Sequence, residues 1–266
     1  MSPESIVARV LAGAIVGFLV GLTGLGGGVL LVPILISALG VPAIVAVGSD
    51  ALVNAVTKIG AGIVHWRRGN VRWWLVVALI GGSIPGAALG VGILTRLHST
   101  RGSGVNDFLK IAIAVLLIII PVTYLAAKPF SSEVEIEAPK RAKKYAGIIL
   151  IGFLVGILVG ITSIGSGTVT VMLLLVFYGF TPRVVVGTDV VHALLLTGFT
   201  AMLQARLGNV DFALVGYILI GSIPAGILGA SMASRISATR LKQILCSILV
   251  VLGIRMLWTG IAHAAR

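Results

Sequence analysis

Apolar stretches of about 20 residues recur along the whole chain, and they restrict its fold more than any other feature. Each stretch is long enough, as a helix, to cross roughly 30 Å of hydrocarbon. Of the 266 residues, 58% are hydrophobic and only 11% are charged, whereas soluble domains carry about 25% charged residues. The stretches lack the alternation of apolar and polar residues that β-barrel strands show. The sequence therefore predicts an all-α polytopic membrane protein.

Short polar or basic clusters divide the chain into eight apolar segments. Their approximate limits are 6–39, 43–65, 73–95, 106–127, 145–178, 184–206, 212–234 and 240–262. The net charge of +12 is carried mostly by Lys and Arg at the ends of these segments, where membrane topology favours basic residues. We therefore expect these basic residues to interact with the lipid bilayer and not with a nucleic acid. Cys246 is the single cysteine, and the sequence indicates neither a metal site nor a cofactor.

Four motifs occur twice, at one ungapped offset of 139 residues. The pairs are GLTGLGGG (21–28) with GITSIGSG (160–167), GSDAL (48–52) with GTDVV (187–191), RRGNV (67–71) with RLGNV (206–210), and GSIPGAALG (82–90) with GSIPAGILG (221–229). Four matches in one register indicate a duplication. The sequence therefore predicts a first transmembrane repeat at 1–127, a polar linker at 128–144 and a second repeat at 145–266, each repeat with about four apolar segments.

Small residues interrupt the first apolar segment of each repeat. As one helix, segment 6–39 would be about 51 Å long, which is too long for one span and too short for two. A break at Gly24–Gly28, repeated within 145–178, fits this length. Re-entrant broken segments would make the two repeats inverted, which we favour, whereas segments that cross once would make them parallel.

The residue types at the two breaks suit an anion. A half-helix that starts at a break offers free N–H groups, glycine allows close approach, and hydroxyl groups donate hydrogen bonds. The alternative is that the small residues only allow close helix packing. The candidate substrate-binding residues are Thr23, Gly26, Gly27, Gly28, Asn54, Lys58, Thr162, Ser163, Ser166, Thr168 and His192.

Ionisable residues inside the spans add to this prediction. Asp50, Asn54 and Lys58 follow one another at intervals of four, so they lie on one helical stripe. Lys58 is the best single candidate for an anion contact, with a structural pair to Asp50 or a snorkelling side chain as alternatives. Asp189 occupies the position equivalent to Asp50. These two carboxylates would either bind a coupling proton or sodium ion, or cap a helix.

The same motifs resemble the sulfite exporter TauE/SafE family of prokaryotic membrane permeases. The resemblance rests on GFLVGLTGLGGGVLLVPIL (17–35), VGSDAL (47–52), HWRRGNV (65–71), GGSIPGAALG (81–90) and their second-half copies. It implies export or uptake of small sulfur-containing anions, such as sulfite, sulfoacetate or related organosulfonates. The second repeat departs from the glycine pattern at Ser163 and Ser166.

These features together predict a secondary transporter in the plasma membrane of a prokaryote, which exports such anions by coupling to an ion gradient and holds them at the helix breaks near the membrane midplane. The alternative is a passive channel or a permease for another small anion. An intramembrane hydrolase using Ser166 and His192 is disfavoured, because the serine lacks a G-x-S-x-G setting and no acid clearly orients the histidine. Basic residues place the linker 128–144 in the cytoplasm. A homodimer is one oligomeric state that fits the sequence.

Overall fold

The computed structural model describes residues 3–23, 27–101, 104–126, 142–178, 182–232 and 238–264. Within these ranges all regular secondary structure is helical. The helices are α1 Pro3–Thr23, α2 Gly28–Ser37, α3 Ala43–Arg67, α4 Trp73–Arg101, α5 Gly104–Ala126, α6 Ala142–Thr162, α7 Thr168–Tyr178, α8 Pro182–Arg206, α9 Phe212–Met232 and α10 Ala238–Ala264. Among the described residues, seven helices are long and apolar enough to cross a membrane. The prediction of an all-α polytopic membrane protein is confirmed.

Both long apolar segments are broken where the sequence places the small residues. α1 ends at Thr23 and α2 begins at Gly28, while α6 ends at Thr162 and α7 begins at Thr168. In the second break Ser163 has a φ of 59°, and Gly165 and Gly167 have φ values of 115° and 118°. An α-helix cannot continue through such backbone angles. The prediction of a broken first segment in each half is therefore confirmed.

Glycines bring two pairs of helices into backbone contact. α4 runs parallel to α6, because Gly82, Gly86 and Gly90 face the backbone of Ile149, Phe153 and Ile157 in the same order. α1 runs parallel to α9 in the same way, with Gly13 and Gly17 against the backbone of Ile218 and Ser222. A Cβ atom at any of these glycines would overlap the neighbouring helix. For these positions the close-packing alternative is correct.

α3 and α8 cross in opposite directions. The Asp211 N–H donates to Ser49 Oγ at 3.0 Å, so the end of α8 lies beside the start of α3. The Arg72 N–H donates to Thr188 Oγ1 at 3.0 Å, which joins the end of α3 to the start of α8. These two hydrogen bonds are related by the offset of 139 residues that relates the sequence motifs. The duplication itself stays a prediction, and these matched contacts support it.

The core has two main parts, and apolar side chains also cover the outside. One cluster joins α1, α2, α3, α5, α9 and α10, and another joins α4, α6, α7 and α8. Large side chains such as Val77, Ile227 and Trp258 are 63%, 68% and 77% exposed. So large an exposed apolar surface fits contact with lipid.

The glycine contacts predict a position-specific effect within α4. Gly86→Ala puts a methyl group against the Phe153 carbonyl, whereas Gly92→Ala meets nothing within 4 Å. Overpacking of this kind costs about 1–3 kcal/mol. We expect Gly86→Ala to lower the melting temperature in detergent and Gly92→Ala to leave it unchanged or raise it. Equal melting temperatures for the two variants would contradict the close packing of α4 on α6.

Candidate functional site

Asp50 is the point at which the second break meets α3. Its side chain is fully buried. Ser163 Oγ, in the second break, donates a hydrogen bond of 2.7 Å to Asp50 Oδ2. Asn54 Nδ2, one turn along α3, donates to the same oxygen at 2.8 Å. One carboxylate oxygen therefore holds a side chain from each half of the chain.

The first break reaches the same carboxylate. Gly28 begins α2, and a Cβ atom there would lie 2.7 Å from Asp50 Oδ2 and 2.7 Å from the Ser163 carbonyl oxygen. A Cβ at Gly27 would lie 3.1 Å from Asn54 Oδ1. The start of α2, with its free N–H groups and positive dipole end, thus lies beside the carboxylate. Only glycine leaves enough room for this approach.

Lys58 reaches Asp50 through an amide and not directly. Lys58 Nζ donates to Asn54 Oδ1 at 3.0 Å, and Asn54 passes a hydrogen bond on to Asp50. Lys58 also interacts electrostatically with Asp189 and Asp50. The polar stripe predicted on α3 is therefore one connected network, in which Lys58 reaches Asp50 through Asn54.

Neither Asp50 nor Asp189 is the N-cap of the helix that carries it. Asp50 lies about two turns inside α3, whose N-cap residue is Pro42. Asp189 lies equally far inside α8, Pro182–Arg206. At these depths the backbone N–H groups are bonded within the helix, so neither side chain can cap its own helix. Of the two predicted roles for these carboxylates, ion coupling stays a prediction.

The hydroxyl groups of the second break have different uses. Thr162 Oγ1 donates to the Leu158 carbonyl at 2.7 Å and accepts the Ile164 N–H at 3.2 Å. Thr162 therefore stabilises the end of α6 itself. Ser163 has a positive φ, which is unusual for a residue other than glycine and is frequent at functional sites. Ser166 is buried in the same loop.

Three predicted residues cannot be placed in full. Gly26 lies outside the described residues, as do the side chains of Thr23 and Thr168. The backbone positions of these two threonines are the last residue of α1 and the first residue of α7. They therefore flank the two breaks, as predicted.

His192 belongs to a second buried network, separate from Ser163. His192 Nε2 and Ser83 Oγ lie 3.0 Å apart, and His192 Nδ1 lies 3.4 Å from Asp189 Oδ1. Sequence reasoning missed Ser83, although it lies within the duplicated GSIP motif. The histidine is oriented by Asp189 and bonded to Ser83, which differs from the Ser166 pair considered for a hydrolase.

The equivalent positions do not form a corresponding network. Val53 occupies the position equivalent to His192, and Ser222 the position equivalent to Ser83. Ser222 Oγ is buried and has no hydrogen-bond partner in the described part of the chain. A valine side chain can neither accept nor donate a hydrogen bond, so Val53 cannot replace His192 in such a network. The two halves thus share a framework but not their polar groups.

Comparison with known sequences identifies the family. The family model described as sulfite exporter TauE/SafE matches residues 9–256. The chain belongs to the sulfite exporter TauE/SafE family. The family resemblance read from the sequence motifs is confirmed, and this membership indicates a membrane transporter and not an enzyme. No solved structure matches this chain significantly.

Several similar proteins carry transporter names. The "probable membrane transporter protein YjnA" of Bacillus subtilis is 35% identical over 257 residues, which cover 94% of this chain and 99% of that protein. A "probable membrane transporter protein" of Xylella fastidiosa is 26% identical and covers 97% of both chains. One from Methanocaldococcus jannaschii is 28% identical over 93% of this chain and 94% of its own. Each of these three alignments covers at least 93% of both chains.

The contrast between Ser83 and Ser222 gives a stability prediction. Ser83→Ala leaves the buried His192 Nε2 unpaired, which costs about 1–3 kcal/mol. Ser222→Ala removes a hydroxyl that has no described partner, so we expect no loss or a small gain in stability. Thermal unfolding of the two variants in one detergent measures the difference. A larger loss for Ser222→Ala than for Ser83→Ala would contradict the hydrogen-bond assignment.

Proposed function

We propose that this protein is a secondary transporter for small sulfur-containing anions, which it holds between the two helix breaks. The observation that carries the proposal is the meeting of both breaks at Asp50. Gly28 from the first break and Ser163 from the second lie against the same carboxylate oxygen. Two half-helices that meet at one buried point are the usual architecture of a transporter's substrate site.

The groups around this point suit an oxyanion. Ser163 and Asn54 are hydrogen-bond donors, Lys58 supplies positive charge, and α2 begins with free N–H groups at Gly28. All four features stabilise negative charge. Ser163, Asn54 and Asp50 are almost completely buried, so the anion would be enclosed and shielded from water.

The family description and the relatives' names support the substrate class and the membrane. The matched family is described as a sulfite exporter, and the relatives named above, from two bacteria and Methanocaldococcus jannaschii, are called membrane transporters. We therefore propose sulfite, sulfoacetate or related organosulfonates as substrates, with export across the plasma membrane of a prokaryote, coupled to an ion gradient.

The helix directions support inverted repeats. α3 and α8 run in opposite directions. Arg9 of α1 forms an ion pair with Asp211 at 3.7 Å, near the start of α3, and α2 leads directly into α3. The start of α1 and the end of α2 therefore lie at the same end of the bundle, as in a re-entrant pair of helices. In this arrangement the linker 128–144 and the loop after α3 share one side, which we propose to be cytoplasmic because both are rich in Lys and Arg.

Flux measurements test the proposed function. In liposomes containing the purified protein, we expect flux of sulfite or sulfoacetate to exceed that of sulfate and taurine, and to change when a proton or sodium gradient is imposed. Selective flux that no ion gradient alters would indicate a passive channel. No flux of any sulfur-containing anion would overturn the proposed substrate class.

Lys58 gives the sharpest test of the site. Lys58→Met removes the cation of the Asp50 network, and we expect anion affinity to fall at least tenfold, about 1.4 kcal/mol. Lys110→Met is the matched control, because Lys110 pairs with Asp107 at 3.0 Å in the first turn of α5. Binding is measured by calorimetry, with melting temperatures to verify folding. Equal affinities for Lys58→Met and Lys110→Met would remove Lys58 from the site.

A further inference from the structure

We propose that the Asp50 carboxylate competes with the substrate anion for one set of donors, and that a proton on Asp50 transfers those donors to the anion. This inference rests on the proposed function, because it concerns the same site. It goes further by naming the coupling ion, the residue that carries it and the direction in which the two ions move.

The first step is the occupancy of the donors. Ser163 Oγ and Asn54 Nδ2 both point at Asp50 Oδ2, at 2.7 Å and 2.8 Å, and the start of α2 lies beside the same oxygen. These are the donors that an enclosed oxyanion would need. An ionised Asp50 carboxylate therefore already occupies these donors. A second negative charge beside it would be repelled.

The second step concerns the other carboxylate oxygen. Asp50 Oδ1 is buried and has no hydrogen-bond partner among the described residues. An unpaired oxygen of a buried carboxylate is unfavourable, so this atom is the natural position for a proton. The neutral carboxyl group is a weaker acceptor at Oδ2, which frees Ser163 and Asn54. The new O–H group at Oδ1 can donate a hydrogen bond to the incoming anion.

The charged surroundings of Asp50 suit this exchange. Lys58 on its own helix is the cation that reaches it through Asn54. α2 and the second break, 163–167, contribute no ionisable side chain. The other elements packed on α3 carry the following ionisable groups in their described positions: Asp189 and His192 on α8, paired with each other, the exposed Arg206 at the end of α8, Tyr217 on α9, and Asp107 with Lys110 on α5, also paired. The positive charge of Lys58 therefore stabilises whichever negative charge is present in the site, that of the Asp50 carboxylate or that of the substrate.

Two consequences follow for transport. The anion and the proton bind together, so they cross the membrane in the same direction. An outward anion gradient therefore drives export and carries the proton out with it, whereas an inward proton gradient drives uptake. For a monovalent anion this movement carries no net charge. In addition, the Ser163–Asp50 hydrogen bond joins the second break to α3 of the first half, so protonation weakens a contact between the halves at the moment the anion enters.

Binding calorimetry on the full-length protein tests the competition. The probes are methanesulfonate and sulfoacetate, whose charges stay constant between about pH 6 and about pH 8. For the wild type we expect Kd to rise by up to tenfold for each unit of increase in pH. We also expect up to one proton to be taken up for each anion bound, measured by comparing binding enthalpies in buffers of different ionisation enthalpy. For Asp50→Asn, which keeps the shape of the neutral carboxyl, we expect binding to persist without pH dependence and without proton uptake.

Asp107→Asn is the matched control, since it removes a carboxylate outside the network and should keep the wild-type pH dependence. Anion binding to the wild type without pH dependence or proton uptake would overturn the competition and leave the proposed function intact. A folded Asp50→Asn variant that binds neither probe at any pH, while the wild type does, would also overturn it, because Asp50 would then be needed to hold the anion. No binding of either probe to wild type or variant would contradict the proposed substrate class and the competition together.

Discussion

Hydrocarbon offers no hydrogen-bond partner to a broken helix, and the whole arrangement of this protein follows from that constraint. Each break frees backbone groups that must face protein or an enclosed polar space. Both breaks lie inside the protein at one buried carboxylate, Asp50, to which the Ser163 side chain donates a hydrogen bond and against which Gly28 packs. A site of this kind is stable only if the helices around it are held closely, which the glycine contacts of α1 with α9 and α4 with α6 provide.

The two halves have the same framework and different chemistry. Matched hydrogen bonds at Ser49 and Thr188 join α3 to α8 at both ends. Two different networks cross between the halves: Asp50, Asn54 and Lys58 of the first half bind Ser163 of the second, whereas Asp189 and His192 of the second half reach Ser83 of the first. The unpaired Ser222 hydroxyl marks the place where the first half lacks a histidine. Two inverted halves can supply the two open states of a transporter, but only an asymmetric pair can give the anion and the proton different partners.

Membership of the sulfite exporter TauE/SafE family and the geometry answer different questions. The family description suggests the substrate class. The contacts around Asp50 suggest how the negative charge of a bound substrate is compensated. The half-buried Lys58 reaches Asp50 only through Asn54. In our proposal the site therefore accepts one further negative charge only after Asp50 is neutralised. The proton coupling that we propose follows from this arrangement of charges and does not depend on which sulfur anion is the substrate.

The sequence by itself determined the membrane class, the helical segments, the two breaks and the stripe on α3, because length, hydropathy and glycine content act locally along the chain. It also pointed to Ser163 and Lys58. It placed Asp50 and Asp189 inside apolar segments but could not fix the residues at which their helices begin, because helix limits in an apolar chain depend on neighbouring helices. Only the structure therefore excluded both residues as N-caps of their own helices. Sequence reasoning missed Ser83 because a serine in a small-residue motif has no special signal until His192 is placed beside it. Only the tertiary structure joined Asp50 to Ser163, across 113 residues of sequence, because that contact depends on how α3 crosses α8 and on how closely glycine lets the breaks approach.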